Sequence, residues 1–128
     1  MALTQTELQH RHRRTLKGTI SNKRQSAMKR AKRDGLEFSL STDFLHELWE
    51  KQKGICALTG VEMGRIGSKW LSPSVDRIDS DKGYTDDNVQ WVCWRANDAK
   101  CNMKNDDFVA MCLAVAATYF TNLKKETH

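Results

Sequence analysis

The sequence predicts a single α+β domain, with a strand–loop–strand–helix centre, flanking helices and a basic helical arm at the N-terminus. Three observations predict it. Val75 and Ile78, then Val89, Trp91 and Val92, form two short β-prone runs around a segment of Asp, Ser, Lys, Gly, Thr and Asn that has turn composition. Arg95 to Met103 lacks Gly and Pro and spaces Ala96, Ala99 and Met103 as a helix does, so it packs back across the two strands. Long helical patterns stand on both sides of this centre.

The first of these patterns is the arm. Met1 to Gln9 is polar and reads as frayed, and charge then concentrates. Arg11, Arg13, Arg14, Lys17, Lys23, Arg24, Lys29, Arg30, Lys32 and Arg33 are ten of the 21 Lys and Arg, with no acidic residue between Arg11 and Arg33. From Ser21 to Asp34 nothing breaks a helix; Ala27, Met28 and Ala31 share a face with Ile20, and Gly35 is placed to end it. A cationic face of one sign points to phosphate contact more than to ordinary solvation, and such contact positions a protein without reading bases. We divide the chain into this arm, 1–35, either part of the same domain or loosely attached, and a body, 36–128.

In the body, Leu36 to Leu40 alternates like a short strand. Ser41 or Thr42 then caps a helix to Gln52, with Gly54 just beyond its end and Phe44, Leu45, Leu48 and Trp49 as its apolar stripe. His46 lies off that stripe and reads first as an exposed helix residue. Ile55 to Met63 is a hairpin piece around Thr59 and Gly60, and Gly64 to Pro73 is a loop that serves as connector or approaches nucleic acid with Arg65, Gly67, Ser68 and Lys69. After the centre, Asn105, Asp106 and Asp107 start a helix whose Phe108, Met111, Cys112, Val115, Ala116, Tyr119, Phe120 and Leu123 keep the three-and-four spacing throughout. We expect this face to pack on the arm and on the Phe44 helix, with a dimer interface as the other account.

Asp76-Arg77 on the first strand, Asn88 opening the second and Asn97-x-x-Lys100 on the helix resemble the HNH endonucleases, whose fold is the ββα-metal arrangement. The resemblance covers roughly Cys56 to Phe108, with Cys56-Ala-Leu-Thr59-Gly60 similar to the opening turn of that family. It implies a divalent-metal-dependent endonuclease that hydrolyses DNA phosphodiesters, by nicking or double-strand cutting, with Asp76 and Asn88 on the metal. The family's first motif usually reads Asp-His, the His being the general base; here Arg77 takes that place, and Asn97 stands where a last His is often found. The resemblance is to an Asp-Arg variant of the kind found in free-standing phage or mobile-element nucleases.

The residue types suit that chemistry on their own terms. Hydrolysis of a phosphodiester builds negative charge that a hard cation stabilises, and one carboxylate with one amide oxygen leaves most of an octahedral Mg²⁺ (or Mn²⁺) shell to water and phosphate. A guanidinium cannot serve as base, so Arg77 reads as a phosphate clamp, with Lys100 beside it and Asn97 orienting Asp76, the loop or the substrate. The proton then goes to Asp79, to a His such as His46, or to metal-bound hydroxide. Asp79-x-Asp81-x-Gly83 does not make an EF-hand, because Gly is one place early and no Glu follows at the twelfth position. Trp91 and Trp94 read as packing residues before base platforms.

Composition bounds the rest. A net charge of +5 favours an anionic partner, here DNA. Neither a long apolar run nor a signal-peptide pattern is visible, which predicts an intracellular, cytoplasmic protein without a membrane partner, in a host cytoplasm if phage-encoded. Cys56, Cys93, Cys101 and Cys112 then read as thiols; structural Zn²⁺ is disfavoured because Thr59 stands where a Cys-x-x-Cys knuckle needs its second sulfur. Monomer and homodimer both remain open. Two other functions stay in play: a non-catalytic DNA-binding module on the same scaffold, and a structure-selective nuclease acting on branched DNA or RNA.

Overall fold

The computed structural model describes residues 2–64 and 69–126, and the side chains of these except for residues 9–15. Arg65, Gly67 and Ser68 of the proposed DNA-approaching loop therefore lie outside the described residues, as do the side chains of Arg11, Arg13 and Arg14.

Helix α1 runs Gln5–Asp34, well upstream of Ser21. The expected frayed segment is helical because Thr4 and Glu7 form a capping box, Thr4 Oγ1 accepting from Glu7 N at 3.2 Å while Glu7 Oε2 accepts from Thr4 N at 2.8 Å. Gly18, a mid-helix cost of about 1 kcal/mol, is flanked by Leu16 packed on the core and Ile20 inside it. Gly35, at φ 67°, closes the helix as the sequence predicts. Of the expected inner face, Ile20, Ala27 and Ala31 are buried, whereas Met28 is 40% exposed.

Helix α2 (Thr42–Gln52) is capped by Ser41 Oγ, which accepts from Phe44 N at 3.0 Å. Leu45 is sealed in the core, with Phe44, Leu48 and Trp49 packed against it. The Leu36 to Leu40 segment makes only an isolated parallel bridge, Phe38 to Tyr84, instead of a strand. Its neighbour across the gap is the backbone around Gly83, where a Cβ would sit 2.5 Å from the Glu37 carbonyl oxygen. Gly83→Ala is therefore expected to destabilise the fold by about 1–3 kcal/mol through forced backbone separation, read as a lowered urea midpoint. The hairpin piece around Gly60 is present, with Cys56 N donating to Val61 O at 2.8 Å and Ile55 bridged to Glu62.

The centre has the predicted order. β1 (Pro73–Arg77) and β2 (Val89–Cys93) pair antiparallel, with Val75 opposite Trp91 and Asp76 opposite Gln90. Helix α3 (Trp94–Lys100) follows without a connecting loop and ends earlier than Met103, where Cys101 takes φ 52°. Trp91 is fully buried, its Nε1 donating to Leu45 O at 2.9 Å and its ring meeting Trp49 edge-on at 5.5 Å. That contact locks α2 to the sheet.

Helix α4 (Asn105–Glu126) corrects one expectation. Its apolar stripe does not lie on α1 or α2: Phe108 is its one buried residue, and Met111, Val115, Tyr119 and Phe120 are 45–65% exposed. The core is already closed by α1 and α2, and the first turn of α4 is tied on where Asn105 N donates to Ile78 O at 3.1 Å. Among the described residues no helix is long and apolar enough to cross a membrane. All four cysteines are free thiols.

Candidate active site

Successive residues of a strand alternate faces, and positions three apart on a helix share one. Ser74 and Asp76 therefore project from one side of β1, while Asn97 and Lys100 project together from α3. The two pairs meet as rungs: Asn97 Nδ2 donates to Ser74 Oγ at 2.7 Å, and Lys100 Nζ donates to Asp76 Oδ2 at 2.7 Å. Lys100 is 0% exposed and Asp76 5%, so this is a buried ion pair. Lys100 also donates to the Arg77 carbonyl at 2.5 Å, and Gln90 Nε2, from the opposite strand position, donates to Asp76 Oδ2 at 3.0 Å. Asn105 Oδ1 accepts from the same Gln90 amide at 3.1 Å, which couples the start of α4 to the site. The expected contact of Lys100 with phosphate gives way to this arrangement. An ammonium enclosed between a carboxylate and a carbonyl does not present itself to a ligand.

Asn88 does a different job from Asn97. Its Oδ1 accepts from Asp79 N at 2.9 Å, and its Nδ2 donates to Asp79 O at 3.0 Å and Gly83 O at 2.8 Å. Both ends of the carboxamide are spent on the β1–β2 loop. Arg77 clasps the same loop from the other side, its Nη1 donating to Ser80 O at 2.5 Å and Lys82 O at 3.0 Å while the guanidinium stands 5.4 Å from the Tyr84 ring centre. Asp79 Oδ1 accepts from Asp81 N at 2.9 Å, and this bond, helped by Lys104, holds Asp79 below the usual carboxylate range. The loop is thus fixed by its own polar side chains.

A groove of about 430 Å³ opens beside these residues, and Asp76, Arg77 and Asn97 line it together with Arg30, Arg33 and Tyr84. Asn88 and Asp79 do not line it. His46 lines a separate hollow with Leu16, Lys17 and Trp49, 3.9 Å from Glu50. Among the described residues the groove is therefore built from carboxylate, carboxamide, guanidinium and aromatic groups, with no imidazole.

The basic arm divides in two. Arg24 Nε donates to Leu40 O at 2.8 Å and its guanidinium stacks on Phe38; Arg30 donates to Val75 O at 3.1 Å and Tyr84 Oη at 3.3 Å. These two arginines bind the arm to the body. Lys17, Lys29, Lys32 and Arg33 are exposed and Lys23 is half-buried. Arg33 forks onto Asp34 at 2.9 and 3.1 Å, which holds Asp34 below the usual carboxylate range and raises the guanidinium above its ordinary value.

Sequence reasoning missed Ser74, Gln90 and Tyr84. The hairpin register was the available signal for Gln90, which faces Asp76, and the strand alternation was the signal for Ser74. Cys56 is also more than a buried hydrophobe. Burial pushes its thiol up, but Sγ accepts from Cys93 N at 3.2 Å and Thr59 N at 3.4 Å, and these bonds hold it below the ordinary thiol value.

The donor set suits a hard cation. Asp76 retains acceptor capacity beyond its two bonds, and Asn97, with its nitrogen on Ser74, has an oxygen for the groove. Among the described residues no three His, Cys, Asp or Glu side chains gather as a cage.

No family model matches the sequence. The chain is 31% identical over 96 residues to the uncharacterized protein R423 of Acanthamoeba polyphaga mimivirus, a match that takes in 75% of this chain and 17% of that protein's length. It also resembles the solved structure of the rare-cutting HNH restriction endonuclease PacI, with a TM-score of 0.58 over 80% of each chain at 17% identity. The strand, loop, strand and helix around Asp76 are thus the centre of an α+β, HNH-like fold.

Proposed function

We propose that the chain is a divalent-metal-dependent endonuclease that hydrolyses DNA phosphodiester bonds. The observation that carries this reading is the groove in which Asp76 and Asn97 stand beside Arg77, Arg30 and Arg33 on a molecule of net charge +5. PacI, a DNA-cutting HNH enzyme, has a similar fold, which supports the reaction class.

Asp76 and Asn97 are the residues that would hold Mg²⁺ or Mn²⁺, because both line the groove and each has an oxygen to give. When bound, the ion supplies charge stabilisation for the phosphoryl oxygens and the leaving oxygen. Asn88 acts on the site through the loop it holds, instead of as a ligand. Lys100 fixes the orientation of Asp76, and Gln90 completes that fixation from β2. Arg77 lines the groove, and the guanidinium donors not spent on Ser80 and Lys82 would take the scissile phosphate or its neighbour. Exposed Lys29, Lys32 and Arg33 on α1 follow the DNA backbone.

Supercoiled plasmid incubated with Mg²⁺, Mn²⁺ or EDTA tests the reading, with Asn97→Ala as control. Nicked or linear product in the metal lanes alone, weakened by the control, is the expected result. A second reading draws on Arg77 in the Asp-Arg pair and the absence of an imidazole among the described groove residues. It is a DNA-binding module that no longer cuts. Plasmid retarded in a salt-sensitive way and never cleaved with either metal would select it.

A further inference from the structure

We infer that α4 is a homodimerisation helix, which pairs antiparallel with α4 of a second copy of this chain. The inference does not depend on the proposed activity.

The helix is 22 residues, about 33 Å at 1.5 Å per residue, and past Phe108 no described residue buries its apolar side. Met111 and Val115 are 45% and 65% exposed, and Tyr119 and Phe120 60% and 61%. A monomer seldom leaves so continuous a face in water. The aromatic pair is also ordered, with Tyr119 and Phe120 rings edge-on at 5.9 Å. Large apolar groups held in place on an exposed helix face are what a partner helix packs against.

The spacing of the face identifies the partner. A two-fold axis beside Val115 and Ala116 sets Val115 against Ala116 of the second copy, Cys112 against Tyr119 and Met111 against Phe120. Every exposed residue of the stripe from Met111 to Phe120 then meets another residue of the stripe. That is the self-complementarity an isologous interface requires. The charges agree with it. Asp106 and Asp107 stand in the first turn and Lys124 and Lys125 in the last, so antiparallel pairing brings the acidic end of each helix to the basic end of its mate. A parallel pair would instead bring acid to acid and base to base. The helix dipoles oppose each other favourably in the same arrangement.

The test is the solution mass of the full chain by light scattering after size exclusion, at about 5–200 µM. The wild type is expected at twice its 14.7 kDa. Val115→Glu with Tyr119→Glu is expected to run at the single-chain mass with the same far-UV spectrum, since both positions are exposed in the chain alone. A wild type at single-chain mass throughout, or a double-Glu variant that keeps the doubled mass, overturns the inference. Orientation is read by oxidative cross-linking in a Cys101→Ser background. In the antiparallel pair the two Cys112 thiols are roughly seven residues apart along the seam, about 10 Å, beyond disulfide reach. Added copper phenanthroline should therefore leave Cys112 alone uncoupled and couple Cys112 across the seam in a Tyr119→Cys variant. Coupling through Cys112 without that substitution would mean parallel helices and overturn the pairing.

Discussion

Lys100→Met is expected to lower the unfolding free energy by about 3–5 kcal/mol, the range seen when one member of a buried ion pair is removed. The geometry sets the size. Asp76 is 5% exposed and Lys100 0%, so on the inner side, where the ammonium stands at 2.7 Å, the carboxylate is left without a counter-charge, and among the described residues Gln90 is the side chain that still donates to it. The Arg77 carbonyl loses its partner as well. Met matches the volume and flexibility of the Lys stem, so little of the loss comes from packing. Asp76→Leu added to Lys100→Met should recover more than half of the stability, because the uncompensated charge is then gone. Urea unfolding followed by far-UV circular dichroism separates these cases. A single variant that loses less than about 1 kcal/mol would show that the pair is solvated in a way its burial does not allow.

The same pair shows how far the sequence could be read. β-branched and aromatic residues on either side of a turn-rich segment were enough to locate β1, β2 and the loop, and Ser41 and Gly54 bounded α2. Those are local signals. Lysine, however, is ordinarily a surface residue, and nothing in Asn97-x-x-Lys100 alone says which member turns inward. The strand alternation Ser74-x-Asp76 had to be read jointly with the helical spacing to see two rungs, one neutral and one charged. Asn88 and Asn97 are likewise indistinguishable as letters. They differ only in that one carboxamide is consumed by three loop bonds and the other by one hydroxyl. The arm misled in the opposite direction, since a run of like charges reads as one surface. Arg24 and Arg30 instead spend their guanidinium groups on Leu40, Val75 and Tyr84, contacts made across the fold. In α4 the periodicity gave the apolar face correctly but carried no information about what covers it.

Asn97→Ala is expected to reduce single-turnover cleavage by about 10²–10³-fold at saturating Mg²⁺, while moving the unfolding free energy by less than about 1 kcal/mol. The asymmetry follows from position. Asn97 is half-buried at the groove, and among the described residues its side chain bonds to Ser74 Oγ, a hydroxyl that can turn to another partner. Asn88→Ala should do the reverse in stability terms. It strips the partner from Asp79 N, Asp79 O and Gly83 O beneath a buried side chain, and at about 1–3 kcal/mol for each group left unpaired the loop is expected to lose its fixed form. Its activity loss would then track unfolding and be relieved by cooling. The aspartate substitutions sharpen the contrast. Asn97→Asp keeps an oxygen on the groove and should retain metal-dependent cutting, with a lower Mg²⁺ requirement from the added charge. Asn88→Asp turns a carboxylate oxygen onto the carbonyls of Asp79 and Gly83, where repulsion replaces two donated bonds. If Asn97→Ala cuts at the wild-type rate and Asn88→Asp keeps its fold and its metal dependence, the second oxygen ligand is Asn88 after all, and the loop must open to release it.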